Sequence, residues 1–322
     1  MLKSAKLMSV LIIATLTSLV FSQETIKPLT IEDIFHSQKF RGATLRGIHW
    51  MQNGKSFLYN ERDRESGTTN FMSYDIKSGT RRLFLSGKDL SAQNGKAPFR
   101  FQNNIWSADE NFILFTETQR ARRVKTGGNF HLYDVQAKSL KTLTDTDKHQ
   151  VNVKFSPNGR SIAFVRENNL MLMDLANGSE KQLTFDGKEH VLNGHFDWVY
   201  EEEFSFDKAF FWSVDGSKIA YYRFDESHVK EFSMAMYGSL YPEEYKFKYP
   251  KAGEENSIVS IHVYDLETEK TIKVAETDNM KPDGKDEYIP RITWTKDPGY
   301  LSVQVMNRHQ NRLKLLLVNA DN

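Results

Sequence analysis

The sequence of 322 residues contains no cysteine, and this absence excludes disulfide bonds, a thiol nucleophile and thiolate metal sites. An excess of charge of one sign is also missing, because 43 basic residues balance 42 acidic ones. Bulk charge therefore indicates neither a nucleic-acid partner nor a membrane partner. The remaining composition, 39% hydrophobic and 12% aromatic, is that of a globular protein rich in rings, long enough for one large domain or two medium ones.

Long apolar runs are absent except at the N-terminus. Lys3 and Lys6 precede an apolar run over residues 7–21, and Val20 and Ser22 offer small residues at the −3 and −1 positions of a cleavage site. This pattern predicts a secretory signal peptide over residues 1–22. An uncleaved anchor is the alternative, although the run is short for a membrane span. We therefore predict an exported protein, periplasmic or secreted, that contacts a membrane only if this segment is retained.

A degenerate repeat organises the rest of the chain. Each unit has an apolar strand, a short turn, a strand ending in an aromatic or methionine residue followed by aspartate, a polar turn and another strand. The aspartates of the four clearest copies are Asp75, Asp134, Asp174 and Asp265. Turns of the Asx-Gly type at Asn158 and Asp215 add strong hairpin signals. Repeated units of four short antiparallel strands predict an all-β fold, a β-propeller of four-stranded blades.

Domain boundaries follow from this repeat. Residues 23–47 precede the first blade and contain a short helix candidate at residues 31–35, capped by Thr30. Residues 48–322 are predicted to form an incomplete propeller of about five blades. The fifth unit starts near residue 289, and the sequence stops before its outermost strand, so we expect a fragment of a longer protein. A five-bladed ring that borrows its last strand from the N-terminus is the alternative.

An insertion of roughly forty residues enlarges the unit between Asp174 and Asp265, and an acidic motif lies near its start. Residues 197–203 read Asp-Trp-Val-Tyr-Glu-Glu-Glu. Carboxylates held close together in apolar surroundings repel one another and usually face a cation, such as an ammonium group with its three donors.

The spacing of the acids has a geometric consequence if Asp197 caps a short helix with the acids in its early turns. Successive helical residues lie about 100° apart, so Glu202 and Glu203 can lean toward one cavity while Glu201 points away from Glu203. An acid-rich helix N-terminus without a ligand is the alternative.

No complete catalytic apparatus is visible in the sequence. A Gly-x-Ser-x-Gly elbow, a His-Glu-x-x-His motif and a phosphate-binding glycine loop are all missing, so we predict no catalytic residue, no metal and no cofactor in this chain. A basic run occupies residues 120–125. Export argues against nucleic-acid binding by this run, which leaves a solvated hairpin tip or an arginine that folds over the acidic cavity.

The acidic motif resembles the double-glutamate motif of dipeptidyl peptidase IV, a family of the prolyl oligopeptidase superfamily. The segment Tyr-Pro-Lys-Ala-Gly at residues 249–253 resembles the family sequence that follows, as do Trp212-Ser213, residues 293–295 and residues 307–311. The similarity covers essentially all of the mature chain and is densest over residues 195–318.

The resemblance implies a serine exopeptidase that releases N-terminal dipeptides with Pro or Ala in second position. An eight-bladed propeller precedes an α/β-hydrolase domain in this family, and the Ser, Asp and His of that domain have no counterpart here. The resemblance further implies that Glu202 and Glu203 bind the α-ammonium of the substrate and that Arg123 contacts a substrate carbonyl, with Arg122 one register away.

The partners implied by the resemblance are peptides with a free N-terminus, and the full-length protein could form a homodimer. Two other functions stay open at this point. One is an exported propeller that binds peptides or proteins without catalysis, and the other is a tripeptidyl aminopeptidase of the same superfamily.

Overall fold

The computed structural model describes residues 28–37, 40, 42, 44–117, 127–274 and 287–321. The chain divides into two compact units, Met1–Arg46 and Gly47–Asn322. In the first unit, helix α1 (Ile31–Phe35) begins after Thr30, whose side chain accepts a hydrogen bond of 3.1 Å from the N–H of Asp33. This confirms the predicted helix and its cap. The predicted signal peptide lies outside the described residues. No helix within the described ranges is long and apolar enough to cross a membrane.

Antiparallel sheets make up the second unit. The first sheet contains β1 (Arg46–Trp50), β2 (Ser56–Arg62), β3 (Thr69–Asp75) and β4 (Arg81–Leu85). The second contains β5 (Asn103–Trp106), β6 (Phe112–Thr116), β7 (Phe130–Asp134) and β8 (Ser139–Thr142). The third contains β9 (Gln150–Phe155), β10 (Ser161–Arg166), β11 (Asn169–Asp174) and β12 (Glu180–Gln182). In each of the three, neighbours in sequence are neighbours in the sheet.

Two further sheets follow along the chain. The fourth contains β13 (Val191–Asn193), β14 (Phe210–Trp212), β15 (Lys218–Asp225), β18 (Ile258–Asp265) and β19 (Lys270–Lys273). The fifth contains β20 (Glu287–Trp294), β21 (Tyr300–Asn307) and β22 (Leu313–Asn319). A separate hairpin is formed by β16 (Glu231–Met236) and β17 (Glu243–Lys248). The prediction of an all-β, propeller-like fold of four-stranded antiparallel repeat units is thereby confirmed. Three strands represent the fifth repeat unit.

The repeated aspartates have a local structural role. Asp75, Asp134, Asp174 and Asp265 each end the third long strand of a sheet. Each carboxylate accepts hydrogen bonds from backbone N–H groups two or three residues later in the chain, as when Asp174 accepts bonds of 2.9 Å and 3.0 Å from Ala176 and Asn177. In such Asx turns the aspartate side chain bonds the backbone of the turn itself, so no side chain from elsewhere in the chain is needed to reverse its direction. The aspartate is therefore repeated because it closes the turn that leads to the outer strand.

Successive sheets are held together by cores that lie between them. On β6, Ile113 and Phe115 belong to the cluster shared with the first sheet, whereas Leu114 belongs to the cluster shared with the third. Side chains alternate between the two faces of a strand, so a strand buried on both faces needs an unbroken apolar run. Burying one such side chain stabilises the fold by about 1.5–3 kcal/mol. The period-two pattern of the sequence is masked on these central strands for this reason.

One helix between the first two sheets was not predicted. Helix α2 (Gly87–Asn94) begins after Ser86, whose hydroxyl accepts hydrogen bonds from the N–H groups of Lys88 and Asp89, and it ends at Gly95 with a left-handed φ of +69°. Its buried residue Leu90 joins the core between the first and second sheets. The helix contributes a single large apolar side chain to this core, so its sequence shows no amphipathic stripe.

The insertion in the fourth unit occurs in two places. Strands β13 and β14 both pair with β15, Leu192 opposite Phe224 and Phe211 opposite Ala220, and residues 194–209 interrupt them. The hairpin β16–β17 then separates β15 from β18. The interrupting segment contains the third helix, α3 (Trp198–Glu202), and thus the acidic motif. The segment that carries the glutamates therefore splits the first strand of the fourth sheet into β13 and β14.

Candidate functional site

Asp197 starts helix α3, as the sequence predicts. One carboxylate oxygen accepts a hydrogen bond of 2.9 Å from the N–H of Tyr200, and the other accepts one of 2.6 Å from the hydroxyl of Ser257. The residue is only 5% exposed. Burial raises the pKa of Asp197 to about 6, although the hydrogen bonds from Ser257 and Tyr200 oppose the rise. The cap is thus an acid held in a setting that disfavours its charge.

Tyr200 fastens the middle of the helix. Its hydroxyl accepts a hydrogen bond of 2.9 Å from the N–H of Ile289 on β20. Its ring packs against Phe204, Phe206 and Phe224 at centroid distances of 5.1, 5.2 and 4.8 Å. Burial raises the pKa of Tyr200 well above its usual value. The aromatic residues around the acidic motif therefore form the support of the helix.

The glutamates lie further along the helix than expected. Because α3 has five residues, Glu202 is its last residue and Glu203 is its C-cap, with the N–H of Glu203 donating to the carbonyl of Val199 at 2.9 Å. Glu203 is exposed, whereas Glu201 and Glu202 are half-buried. The expectation that all the acids lie in early turns is wrong for Glu202 and Glu203. Negative charge at a helix C-terminus is unfavourable, so these two carboxylates do not serve to stabilise the helix.

A cavity of about 540 Å³ lies beside α3. Its walls come from α3 and its approach (His195, Phe196, Asp197, Trp198 and Glu201), from the hairpin (Tyr245, Phe247 and Lys248) and from His149, Glu167, Asn168, Glu189, Leu192 and Glu226. Neither Glu202 nor Glu203 lines it. The geometric expectation placed these two at one cavity and turned Glu201 away, and at this cavity the arrangement is the reverse.

Charge in this cavity is strongly perturbed by burial. Burial, together with the charge of Asp197, raises the pKa of Glu226 to about 7. Burial and the neighbouring His149 lower the pKa of His195 to about 4. The imidazole of His195 lies 3.2 Å from the side-chain amide of Asn152. At neutral pH this histidine is therefore uncharged, and the charge of the cavity comes from its acids and from Lys248.

The chain turns sharply after the glutamates. Ser205 has a left-handed φ of +55°, and the N–H of Phe206 donates to the carbonyl of Tyr200 at 3.1 Å, which closes the turn back onto the helix. Arg291 on β20 donates from Nη2 to the carbonyl of Phe204 at 2.7 Å. Arg291 and Ser257 were not predicted from the sequence, because each meets the helix or the turn after it only through the folded arrangement of strands distant in the chain.

The predicted basic contact lies outside the described residues. Arg123 and its alternative Arg122 fall in residues 118–126, so their predicted role stays a prediction. Within the residues that the structure describes, no group of three or more His, Asp or Glu side chains could hold a metal ion.

Comparison with known proteins gives a consistent result. The family model for the dipeptidyl peptidase IV (DPP IV) N-terminal region matches residues 107–322. A probable dipeptidyl-aminopeptidase B of Phaeosphaeria nodorum is 32% identical over 285 residues, which are 83% of this chain and 30% of the relative. One from Talaromyces stipitatus is 34% identical over 320 residues, 91% of this chain and 35% of the relative.

Solved structures agree with the sequence comparison. Dipeptidyl peptidase 4 of Porphyromonas gingivalis is 35% identical, with a TM-score of 0.74 over 92% of this chain and 41% of that chain. A putative dipeptidyl aminopeptidase IV of Bacteroides ovatus, 24% identical with a TM-score of 0.62, shares the fold. The chain spans about a third of the length of the curated relatives that it matches.

Proposed function

The chain belongs to the family of the dipeptidyl peptidase IV N-terminal region, and from this premise we propose that it is the substrate-selecting portion of a serine exopeptidase. The enzyme would release N-terminal dipeptides with Pro or Ala in second position. The observation that carries the proposal is the family match, which includes the acidic motif on α3. The relatives are named dipeptidyl-aminopeptidases, and release of dipeptides from a free amino terminus is the activity that those names describe.

In this proposal Glu202 and Glu203 bind the α-ammonium of the peptide. Two carboxylates facing one ammonium form charge-assisted hydrogen bonds, which are about twice as strong as neutral ones. An acetylated or internal peptide lacks the charge and leaves the acids unpaired, at a cost of roughly 3–5 kcal/mol where water is excluded. The pair thereby measures the substrate from its N-terminus, which makes an exopeptidase and not an endopeptidase.

The support for this pair comes from its placement. Two carboxylates at the C-terminal end of a helix oppose the helix dipole, so the dipole does not account for their position. Glu203 is exposed in the described chain, and an exposed ion pair contributes only about 0–1 kcal/mol. Strong selection therefore requires that the bound peptide, together with protein that covers α3, exclude water from the pair.

The proposal also covers a substrate-binding arginine, the partners and the location of the protein. Arg123, or Arg122 in the alternative register, contacts a carbonyl of the peptide through its planar donors. Peptides with a free N-terminus are the partners, and the complete protein acts outside the cytoplasm after export. The apolar pocket for Pro or Ala and the nucleophile that cuts the peptide belong to the complete enzyme.

The test uses the complete gene product and alanyl-prolyl-p-nitroanilide as substrate. Glu202→Gln and Glu203→Gln should each reduce kcat/KM by about 10- to 100-fold, because each removes one charge-assisted bond worth roughly 1.5–3 kcal/mol. Glu201→Gln is the matched control, since it changes the same charge on the same helix, and it should stay within about threefold of the parent.

Other outcomes decide against the proposal. A loss confined to Glu201→Gln would move the ammonium site to the cavity of about 540 Å³. Unchanged kinetics in all three variants would show that this helix does not select substrate. If the complete product releases tripeptides from a longer reporter, the cleaved bond lies three residues from the bound ammonium, and not two as proposed. No peptide hydrolysis at all would favour a binding module without catalysis.

A further inference from the structure

A bulge in strand β20 leaves one residue's backbone outside the sheet ladder. Pro290 has no N–H to donate, and the register between β20 and β21 shifts between Tyr288 and Arg291. Two residues, Ile289 and Pro290, thus lie opposite a single residue of β21, as in a β-bulge. Ile289 is only 1% exposed. Its buried N–H and carbonyl groups need partners from elsewhere.

Two tyrosine hydroxyls supply those partners. The N–H of Ile289 donates to the hydroxyl of Tyr200 at 2.9 Å, and the hydroxyl of Tyr222 donates to the carbonyl of Ile289 at 3.1 Å. Tyr200 lies in the middle of α3, whereas Tyr222 lies on β15. The glutamate helix is therefore hydrogen-bonded to the first strand of the fifth sheet.

A second contact joins the same strand to the turn after the helix. Arg291 donates from Nη2 to the carbonyl of Phe204 at 2.7 Å and from Nη1 to the carbonyl of Pro290 at 2.5 Å. Its guanidinium also lies 5.5 Å from the ring centroid of Phe206, within cation–π range. A planar guanidinium can bond two carbonyls through separate nitrogens while its face covers a ring.

The two contacts bracket the proposed ligands. Tyr200 precedes Glu202 and Glu203, Phe204 follows them, and both are bound to residues of β20 that are two apart. We propose that Tyr200 and Arg291 are positioning residues that hold Glu202 and Glu203 in the geometry that binds a peptide ammonium. This inference rests on the proposed function. It makes substrate selection by the fourth unit dependent on the bulge in the fifth.

Arg291 offers a cleaner test than Tyr200, because its side chain is exposed whereas Tyr200 is only 2% exposed, although replacing Arg291 also removes the donor to the carbonyl of Pro290. Arg291→Met keeps an apolar stem over Phe206 and removes both donated bonds. Lys208→Met is the matched control. Lys208 lines the same small cavity of about 140 Å³ as Arg291, and its ammonium lies 3.9 Å from the carboxylate of Asp207, so the variant loses the same charge without touching the carbonyl of Phe204.

The readout is the selectivity of the complete gene product for a free amine. Inhibition constants are measured for alanyl-proline and for N-acetyl-alanyl-proline. The inhibition constant of the acetylated peptide divided by that of the free peptide is the selectivity ratio, and it is compared between variants. Arg291→Met should reduce this ratio about fivefold and raise KM for the reporter by a similar factor, with kcat within twofold. Arg291→Lys should recover part of the loss, since its ammonium can still donate to the carbonyl of Phe204. Lys208→Met should leave the ratio unchanged, and Tyr200→Phe should reduce it.

The outcomes separate this inference from the function on which it rests. If Glu202→Gln and Glu203→Gln leave the ratio unchanged, the proposed ammonium site itself is wrong. If they abolish selectivity while Arg291→Met and Lys208→Met behave alike, the site stands and the positioning role of Arg291 is overturned. If Tyr200→Phe does not fold, the Arg291 variants alone decide the question.

Discussion

Replacing Asp197 by Asn should stabilise the chain at neutral pH and remove part of its pH dependence. Asn caps helices about as well as Asp, its oxygen can accept the N–H of Tyr200, and its amide can donate to the hydroxyl of Ser257. The substitution therefore keeps the hydrogen bond from Tyr200, reverses the direction of the one with Ser257 and removes the buried charge.

The magnitude follows from the pKa of the carboxyl. Burial raises the pKa of Asp197 from an ordinary value of 3.8 to about 6, and one pKa unit corresponds to about 1.4 kcal/mol. Because the folded state binds the proton more tightly than the unfolded state, Asp197 contributes most to stability below pH 3.8, and this contribution disappears as the pH rises through 6. The free energy of unfolding of Asp197→Asn should exceed that of the parent by roughly 3 kcal/mol near pH 7.5, and the difference should disappear only below pH 3.8.

Glu226 adds to this difference. The charge of Asp197 is one of the causes that raise the pKa of Glu226 to about 7, so the ionised Asp197 opposes the ionisation of Glu226. Removing the charge at residue 197 lowers the pKa of Glu226 and lessens the cost of ionising it. The pH range over which the variant gains stability should therefore extend toward 7.

The assay is urea unfolding of the chain, followed by tryptophan fluorescence at several pH values between 4.5 and 8. Asp197→Ala is the control, because it removes the charge and the cap together, and the lost cap alone should reduce stability by about 1 kcal/mol. A difference between Asp197→Asn and the parent that stays constant across this pH range would refute the argument that a buried, ionised Asp197 opposes folding.

Two further predictions concern the surroundings of α3. Ser205→Gly should raise the free energy of unfolding by about 1 kcal/mol, because glycine adopts the observed φ of +55° without the cost that other residues bear; Ser205→Ala, which keeps that cost, should show no gain in the same urea titration. Tyr222→Phe should lower the free energy of unfolding by about 1–3 kcal/mol, since it leaves the buried carbonyl of Ile289 without its donor, and an unchanged midpoint in thermal unfolding would show that this carbonyl finds another partner.

Local signals in the sequence were sufficient for the repeat and for the cap. The Asx turns at Asp75 and Asp174 and the cap at Asp197 depend on backbone groups within three residues. Both features can therefore be predicted from a short stretch of sequence. The length of α3 was not predictable in the same way. It ends after five residues because Ser205 takes a left-handed conformation and Phe206 turns back onto Tyr200, and serine carries no strong signal for that conformation.

Contacts between sheets were beyond local inference. Ser257 reaches Asp197 across 60 residues, and Arg291 reaches Phe204 across 87. The first pair depends on strand pairing within the fourth sheet and the second on the packing of the fifth sheet against the turn after α3, and a single sequence specifies neither. Pro290 was the one local sign, because a proline inside a strand marks an edge or a bulge. Pro290 indicates where the sheet hydrogen bonding is interrupted. It does not indicate which side chains bond the backbone groups left outside the ladder.

Several features of α3 oppose stability at one place. Asp197 is an acid in a buried setting, Glu202 and Glu203 add negative charge to a helix C-terminus, and Ser205 has a left-handed backbone. A five-residue helix cannot offset these costs by itself, because isolated helices shorter than about 12–15 residues are marginal in water. The aromatic cluster around Tyr200 and the contacts to the bulge of β20 must therefore hold it. A segment held only from outside has its orientation set by those contacts, and this is why substitutions on β20, a strand without a proposed ligand, are expected to change the affinity for a peptide amine.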